Sequence, residues 1–268
     1  MKNILFLVAF IAILTPFSSC KKSSGPGGGS GSNGTLVRIQ QGVSASDDSV
    51  YLIRYDTKNR ISVLLDSINM DSLSAVYNSA NQVTAIEEAS PYSDDNLSAT
   101  YNGSGQLTEI DYSLFGELDK YVFEYTGSMP SKATFSTNSG SGPLKVYRIY
   151  TYTATGSNIT DIKENDANMT LLGERKITFG SEPNPFKTLA LFNWGNRLGT
   201  DDIITLETIF NANLPSTTTW LGDSNNVFYT TTLTATNNSN NNPTKLIATE
   251  KFPDGSIQNL FTWSFTYK

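Results

Sequence analysis

Two acidic doublets, Glu87-Glu88 and Asp94-Asp95, bracket the loop EEASPYSDDN and form the densest group of side chains able to do acid–base work. Brought together, such carboxylates could hold Ca²⁺ or serve as the acid and base of glycoside cleavage. Neighbouring residues of a strand point to opposite faces, so adjacent acids do not make a pair by themselves. The doublets therefore read first as a solvated acidic loop between hairpins. The segment NDAN (165–168) lacks the EF-hand spacing and its closing Glu, and reads as a turn. The chain has no histidine and one cysteine, Cys20. Ser-His-Asp and Cys-His hydrolysis are thereby excluded, as are His-ligated zinc, copper and non-haem iron sites. Carboxylate pairs, Ser-Lys pairs and tyrosine remain, and the reading expects no metal site and no cofactor. The 13 Tyr, 14 Phe and 3 Trp could stack on sugar rings or line a lipid groove, but on alternating strands they are first a core. Trp194 and Trp220 lie in the least regular part of the chain and are the candidate ligand-facing aromatics.

The start of the chain belongs to targeting. Lys2 precedes an unbroken apolar run from Ile4 to Leu14, too short to span a bilayer and suited to a signal-peptide core. It ends in Phe17-Ser18-Ser19-Cys20, which resembles the lipobox of bacterial lipoproteins, with Phe17 in place of the usual Leu. That resemblance implies cleavage after residue 19 and a lipid-modified N-terminal Cys20. Several buried acyl chains, at about 0.8 kcal/mol per CH₂, make a stable anchor. The lone cysteine rules out an intramolecular disulfide. Residues 21–34 are Gly- and Ser-rich and read as a flexible tether spanning roughly 20 Å. The organisation is then a signal peptide (1–19), a lipidated Cys and linker (20–34), and one β domain (35–268). Loss of Lys2 leaves 18 basic against 25 acidic side chains, a net of −7, so no nucleic-acid partner is expected.

The elements that must position any site come from a degenerate repeat. LSAVYNSANQVTAI (73–86) is echoed by LSATYNGSGQLTEI (97–110), and Tyr55, Tyr77, Tyr101, Tyr125 and Tyr152 recur at spacings of 22, 24, 24 and 27 residues. Period-two alternation, β-branched and aromatic enrichment, and turns rich in Asn, Gly and Ser predict one β-hairpin per repeat. The last segment, NLFTWSFTYK, sets Phe261, Trp263, Phe265 and Tyr267 on one face against Thr262, Ser264 and Thr266. The predicted fold is all-β, a large curled antiparallel meander of hairpins. Residues 180–222 break the rhythm, and one or two short helices are expected around 186–213, with Ile203, Leu206, Ile209 and Phe210 on one face, although the β-branched Ile203, Ile204, Thr205, Thr208 and Ile209 suit another strand equally.

YDTKNRI (55–61) resembles the YD repeat of RHS-type proteins: Tyr55, Asp56, Arg60 and Ile61 match, and Asn59 replaces a glycine. In YNGSGQL, Gly105 is kept while Asn102 and Gln106 replace Asp and Arg. The wider layout, with NPF at 184–186, SNNV at 224–227 and Pro-Thr-Lys at 243–245, is similar to secreted lipoproteins of Bacteroidetes-type bacteria that carry a repeat-built domain of unknown function. This implies an envelope location and a β-sheet domain, and carries over no catalytic residue. DSV, DSI and DSL (48–50, 66–68, 71–73) resemble the periplasmic O-glycosylation sequon of such bacteria, making Ser49, Ser67 and Ser72 candidate glycan carriers. The expected function is a non-enzymatic structural or binding role at the outer membrane, membrane-attached through lipid and facing the periplasm. A glycan, a lipid or an envelope protein is the expected partner. Two alternatives stand: a carrier or receptor for an apolar ligand or glycan in a concave aromatic face, and a His-free hydrolase using two carboxylates.

Overall fold

Short alternating segments closed by Asn-, Asp- and Gly-bearing turns become strands in the computed structural model. It describes residues 35–42, 49–67, 71–89, 96–114, 117–138, 142–187, 189–192 and 206–268. These residues hold sixteen strands. The first eight are β1 (Leu36–Gly42), β2 (Ser49–Tyr55), β3 (Ile61–Asp66), β4 (Ser72–Tyr77), β5 (Val83–Glu88), β6 (Asn96–Tyr101), β7 (Leu107–Leu114) and β8 (Glu117–Thr126). The second eight are β9 (Met129–Thr137), β10 (Lys145–Thr155), β11 (Asn158–Asn165), β12 (Leu171–Pro183), β13 (Asn213–Gly222), β14 (Val227–Asn237), β15 (Pro243–Lys251) and β16 (Ile257–Tyr267). Each strand pairs antiparallel with the next, and β16 closes on β1 from Arg38↔Thr266 to Gly42↔Thr262. The meander is thus a closed barrel. Thr35 and Lys268 exchange backbone hydrogen bonds of 3.0 and 3.1 Å, so the first and last described residues of the barrel meet at one rim, here called the base. The turns at 56–60, 78–82 and 102–106 also lie at the base. The turns at 166–170, 222–226 and 252–256 lie at the opposite rim, the mouth.

The repeated residues build a repeated device. In each early turn an Asp or Asn oxygen accepts the backbone N–H groups two and four residues on: Asp56 from Lys58 and Arg60, Asn78 from Ala80 and Gln82, Asn102 from Ser104 and Gln106. The fourth residue of the turn sits at positive φ: Asn59 at 59°, Asn81 at 63°, Gly105 at 80°. Asn tolerates that left-handed region better than other non-glycine residues, which explains how Asn59 stands in for glycine. The departures from the YD pattern are coupled exchanges. Asp56 receives Arg60 Nε at 2.7 Å, whereas Asn78 and Asn102 donate to Gln82 and Gln106 at 3.0 and 2.8 Å. A charged pair is replaced by an amide pair of the same shape.

The same side chains tie each turn to the next. Arg60 donates to Asn81 Oδ1, Gln82 to the Gly105 carbonyl and Gln106 to the Gly127 carbonyl, at 3.0, 2.9 and 2.8 Å. The recurring tyrosines form a second ladder. Tyr55, Tyr77, Tyr101 and Tyr125 donate their hydroxyls to the carbonyls of Leu36, Ile61, Val83 and Leu107, at 2.6–2.9 Å. Each rung therefore couples one repeat to its predecessor.

Alternation then sorts the two faces. Trp263 and Phe265 are buried while Ser264 and Thr266 are exposed, as the sequence predicts. Thr234, Thr236 and Lys245 likewise face water. An outer-membrane-spanning barrel needs the reverse, an outward apolar band with polar lumen. The lumen is closed off near the base by the segment between β12 and β13. Its Phe186 packs on Trp263 and Phe265 of β16 (5.8 and 5.6 Å between ring centroids), and its Phe210 packs on Phe123 and Tyr125 of β8 (5.3 and 6.4 Å). β8 and β16 are eight places apart in a ring of sixteen, so the described parts of the segment, here called the plug, reach opposite walls of the lumen. The expected helices in this stretch are a 3-10 turn at 190–192 and a 3-10 helix over Leu206–Phe210. The NPF motif does the anchoring. Asn184 accepts the Phe186 N–H and donates to the Thr208 and Asn211 carbonyls, which fixes Phe186 against the core.

Candidate functional site

The tyrosine ladder breaks after Tyr125. Tyr152 donates to Glu207 of the plug at 3.3 Å instead of to a strand carbonyl, and the rung at Tyr267 on the Pro243 carbonyl stands on the far side of the gap. In this sector, β10 to β15, the inward register carries charge where the repeats carry Leu, Ile and Ala. On β10, Arg148 shares its face with Tyr150 and Tyr152, and its Nε donates to Glu164 of β11 at 2.7 Å. Arg175 of β12 meets Glu207 at 3.3 Å, with its guanidinium 4.8 Å from the centre of the Trp220 ring opposite it on β13. Trp220 in turn neighbours Tyr229 of β14 at 5.6 Å, and Tyr229 neighbours Phe252 at 6.2 Å.

Solvent access falls from mouth to floor. At the rim, Tyr147 is 52% exposed and lies 3.9 Å beneath the Arg148 guanidinium. The Arg148 and Glu164 side chains keep 25% and 30% of their surface, Arg175 and Glu207 only 9% and 8%. Thr231 on β14 is 2% exposed and its Oγ1 has no hydrogen-bond partner; Trp220 Nε1 is also buried and without one. Glu250 of β15 stands opposite Thr231 in the register and is buried too. Burial raises the pKa of Tyr150 and Tyr152, and the Glu207 carboxylate adds to the shift at both. The hydroxyls therefore stay protonated and available as donors. Burial opposes the charge on Arg175, but Glu207 and the two tyrosines outweigh it, and its pKa is raised. The result is a polar-aromatic cluster on the inner wall toward the mouth, here called the recess, with two arginine–carboxylate pairs.

The candidate residues of the sequence are distributed differently. Trp220 lies in this recess; Trp194, Cys20 and Asp94-Asp95 fall outside the described residues. Glu87 and Glu88 alternate along β5, opposite Ser74 and Leu73, and are not brought together. Asp166 of NDAN spends its carboxylate on the N–H groups of Asn168 and Thr170, at 2.8 Å each, as a turn residue does. Ser49, Ser67 and Ser72 gather at the mouth rim of β2–β4, where Ser67 Oγ donates to the Val50 carbonyl at 2.9 Å. One acid pair was not foreseen: Asp161 and Glu174 on β11 and β12. Burial, followed by hydrogen bonding to Glu174 and its charge, raises Asp161 to about 6. The recess residues Arg148, Glu164, Arg175, Glu207 and Tyr229 also escape sequence reasoning. The one signal was an arginine in the tyrosine register of β10 and another in the Ile177–Phe179 register of β12.

No family model matches the chain, and no curated protein does. Solved structures do. A porin-like protein from Bacteroides vulgatus superposes with a TM-score of 0.56 at 10% identity, covering 87% of this chain and 98% of that one. A porin-like protein from Bacteroides uniformis gives 0.42 at 12% identity, covering 88% and 96%. A chain of the TcdB2–TccC3–Cdc42 structure gives 0.30 at 16% identity, over 81% of this chain and 10% of that one. Only the first score is high enough to carry an argument, and what it carries is the fold. The class defined by fold and site is a closed antiparallel barrel with a polar outer wall, a plugged base and a polar-aromatic recess at its mouth.

Proposed function

We propose that this chain is a lipid-anchored protein of the bacterial cell envelope, with a non-enzymatic binding or structural role. It is attached through Cys20 to the periplasm-facing leaflet of the outer membrane. The observation that carries this reading is the polarity of the wall. With mostly Thr, Ser and charged side chains outward, interrupted by single exposed residues such as Val76, Val122 and Phe228, and with most aromatics inward, the barrel is suited to water, and attachment to lipid falls to the N-terminus. The chain enters the barrel at Thr35, at the base, so the plugged rim faces the membrane and the mouth faces away. The lack of histidine supports a non-enzymatic role. So does the engagement of the recess carboxylates Glu164 and Glu207 with arginines, which ties both into ion pairs. By resemblance to the sorting signals of Bacteroidetes-type lipoproteins, Lys21 and Lys22 without an acidic cluster support the periplasmic leaflet.

Metabolic labelling with an alkyne fatty acid tests the anchor. Wild type is expected to take up label and to need detergent for extraction. Cys20→Ala is expected to lose the label. Recovery of unlabelled Cys20→Ala with the membranes after an alkaline wash would mean that the barrel itself inserts, and the reading would fall. Removal of the barrel by protease added to intact cells would overturn the leaflet assignment. Ser49, Ser67 and Ser72 remain proposed glycan carriers, and an intact mass equal to the bare processed lipoprotein would refute that. Modification of Ser67 would also cost its bond to the Val50 carbonyl.

A further inference from the structure

We propose that the mouth recess on β10–β14 is a binding site for a neutral saccharide. The idea rests on the reading of the barrel as a binding module and names the chemistry it would recognise. Three observations point to it. First, the recess is lined by exposed Tyr147 and partly buried Trp220 and Tyr229; arginines cover one face of Tyr147 and of Trp220, and the remaining aromatic surface matches the C–H faces of sugar rings. Second, Arg148 with Glu164 and Arg175 with Glu207 present planar, paired donors and acceptors suited to vicinal hydroxyls. Third, Thr231 Oγ1 and Trp220 Nε1 are buried polar atoms without a hydrogen-bond partner among the described residues, an arrangement native structures rarely leave unused.

Charge decides the class. The two arginines face three carboxylates, Glu164, Glu207 and Glu250, so the recess carries no net positive charge to hold a phosphate or an acidic sugar. An apolar ligand would have to cover two ion pairs and two orphan polar atoms without satisfying them, at a desolvation cost. A neutral polyol satisfies them. The site also lies where the plug meets the wall, so binding would bear on Glu207 and through it on the plug.

The test uses the mature full-length protein in mild detergent, titrated by calorimetry with neutral hexasaccharides of glucose, mannose, galactose and xylose. Oligogalacturonate and oleate serve as the acidic and apolar comparisons. At least one neutral hexasaccharide is expected to bind with a dissociation constant below about 1 mM, with Trp220→Phe weakening it by about tenfold or more. Arg148→Gln, at the half-exposed rim, is expected to weaken it several-fold, and Thr266→Ala on the outer wall to leave it unchanged. Circular dichroism checks folding, and if Trp220→Phe proves unfolded, Arg148→Gln decides. Absence of neutral saccharide binding, binding unaffected by the recess variants, or preference for oligogalacturonate or oleate would overturn the proposal. Fatty-acid labelling reports on the anchor separately: label without saccharide binding sinks this site alone, and binding without label sinks the anchor alone.

Discussion

Arg175 and Glu207 are nine-tenths buried, and their pairing locks the plug to the wall, so breaking the pair should be costly in one particular way. Replacing Arg175 by Met keeps the volume but removes the guanidinium that meets the buried Glu207 carboxylate at 3.3 Å, while the Tyr152 hydroxyl stays at 3.3 Å. Removing one partner of a buried pair costs about 3–5 kcal/mol, because the other charge is stranded. For a barrel of this size, about 1 kcal/mol moves the melting temperature by about 2–4 °C, so Arg175→Met should lower it by at least about 6 °C. Replacing both partners, Arg175→Met with Glu207→Gln, removes the stranded charge and should restore most of the loss. Thermal melts of wild type, both single variants and the double variant, followed by far-ultraviolet circular dichroism, close the cycle. The expected coupling is favourable, with the double variant more stable than Arg175→Met alone. Additive losses would refute the argument, since they would mean that the two side chains act separately and that the plug is held by its aromatics alone.

Asp161 offers a pH test. Its folded-state pKa, raised to about 6 from 3.8, means that the folded protein binds the proton more tightly than the unfolded chain. Stability from this group therefore declines as pH rises from about 4 to about 6, and the penalty persists above that range. Because the side chain is largely solvent-screened, Asp161→Asn should raise stability at pH 7.5 by no more than about 1 kcal/mol, and should give no gain at pH 4. An equal gain at both pH values would disprove the linkage. Tyr101→Phe removes the bond to the Val83 carbonyl at 2.9 Å and should cost about 1 kcal/mol in urea denaturation. An unchanged midpoint would show that the tyrosine ladder adds nothing beyond packing.

Much of the repeat was legible because its physics is local. Alternation gave the faces of β16, and the Tyr spacing gave the hairpins. The exchange of Asp56–Arg60 for Asn102–Gln106 is visible as a substitution pattern, although only the bonds explain it. The expectation of short helices in 186–213 corresponds, among the described residues, to 3-10 turns, and the stretch is held by the Asn184 side chain, not by a helical ladder. The recess was far less legible. Arg148 on the Tyr150–Tyr152 face resembles a rim charge until Glu164 is seen beside it, and nothing in the sequence announces that Glu207 reaches Arg175.

The sequence alone therefore determined the hairpin repeat, strand face and turn chemistry, since each follows from residues within one hairpin. Closure of β16 on β1, the path of the plug between β8 and β16, and the gathering of charge in one sector belong to tertiary structure. Those contacts join residues scores to hundreds of positions apart. Whether an inward arginine is an error, a strut or part of a site depends on partners that only the closed barrel brings within reach.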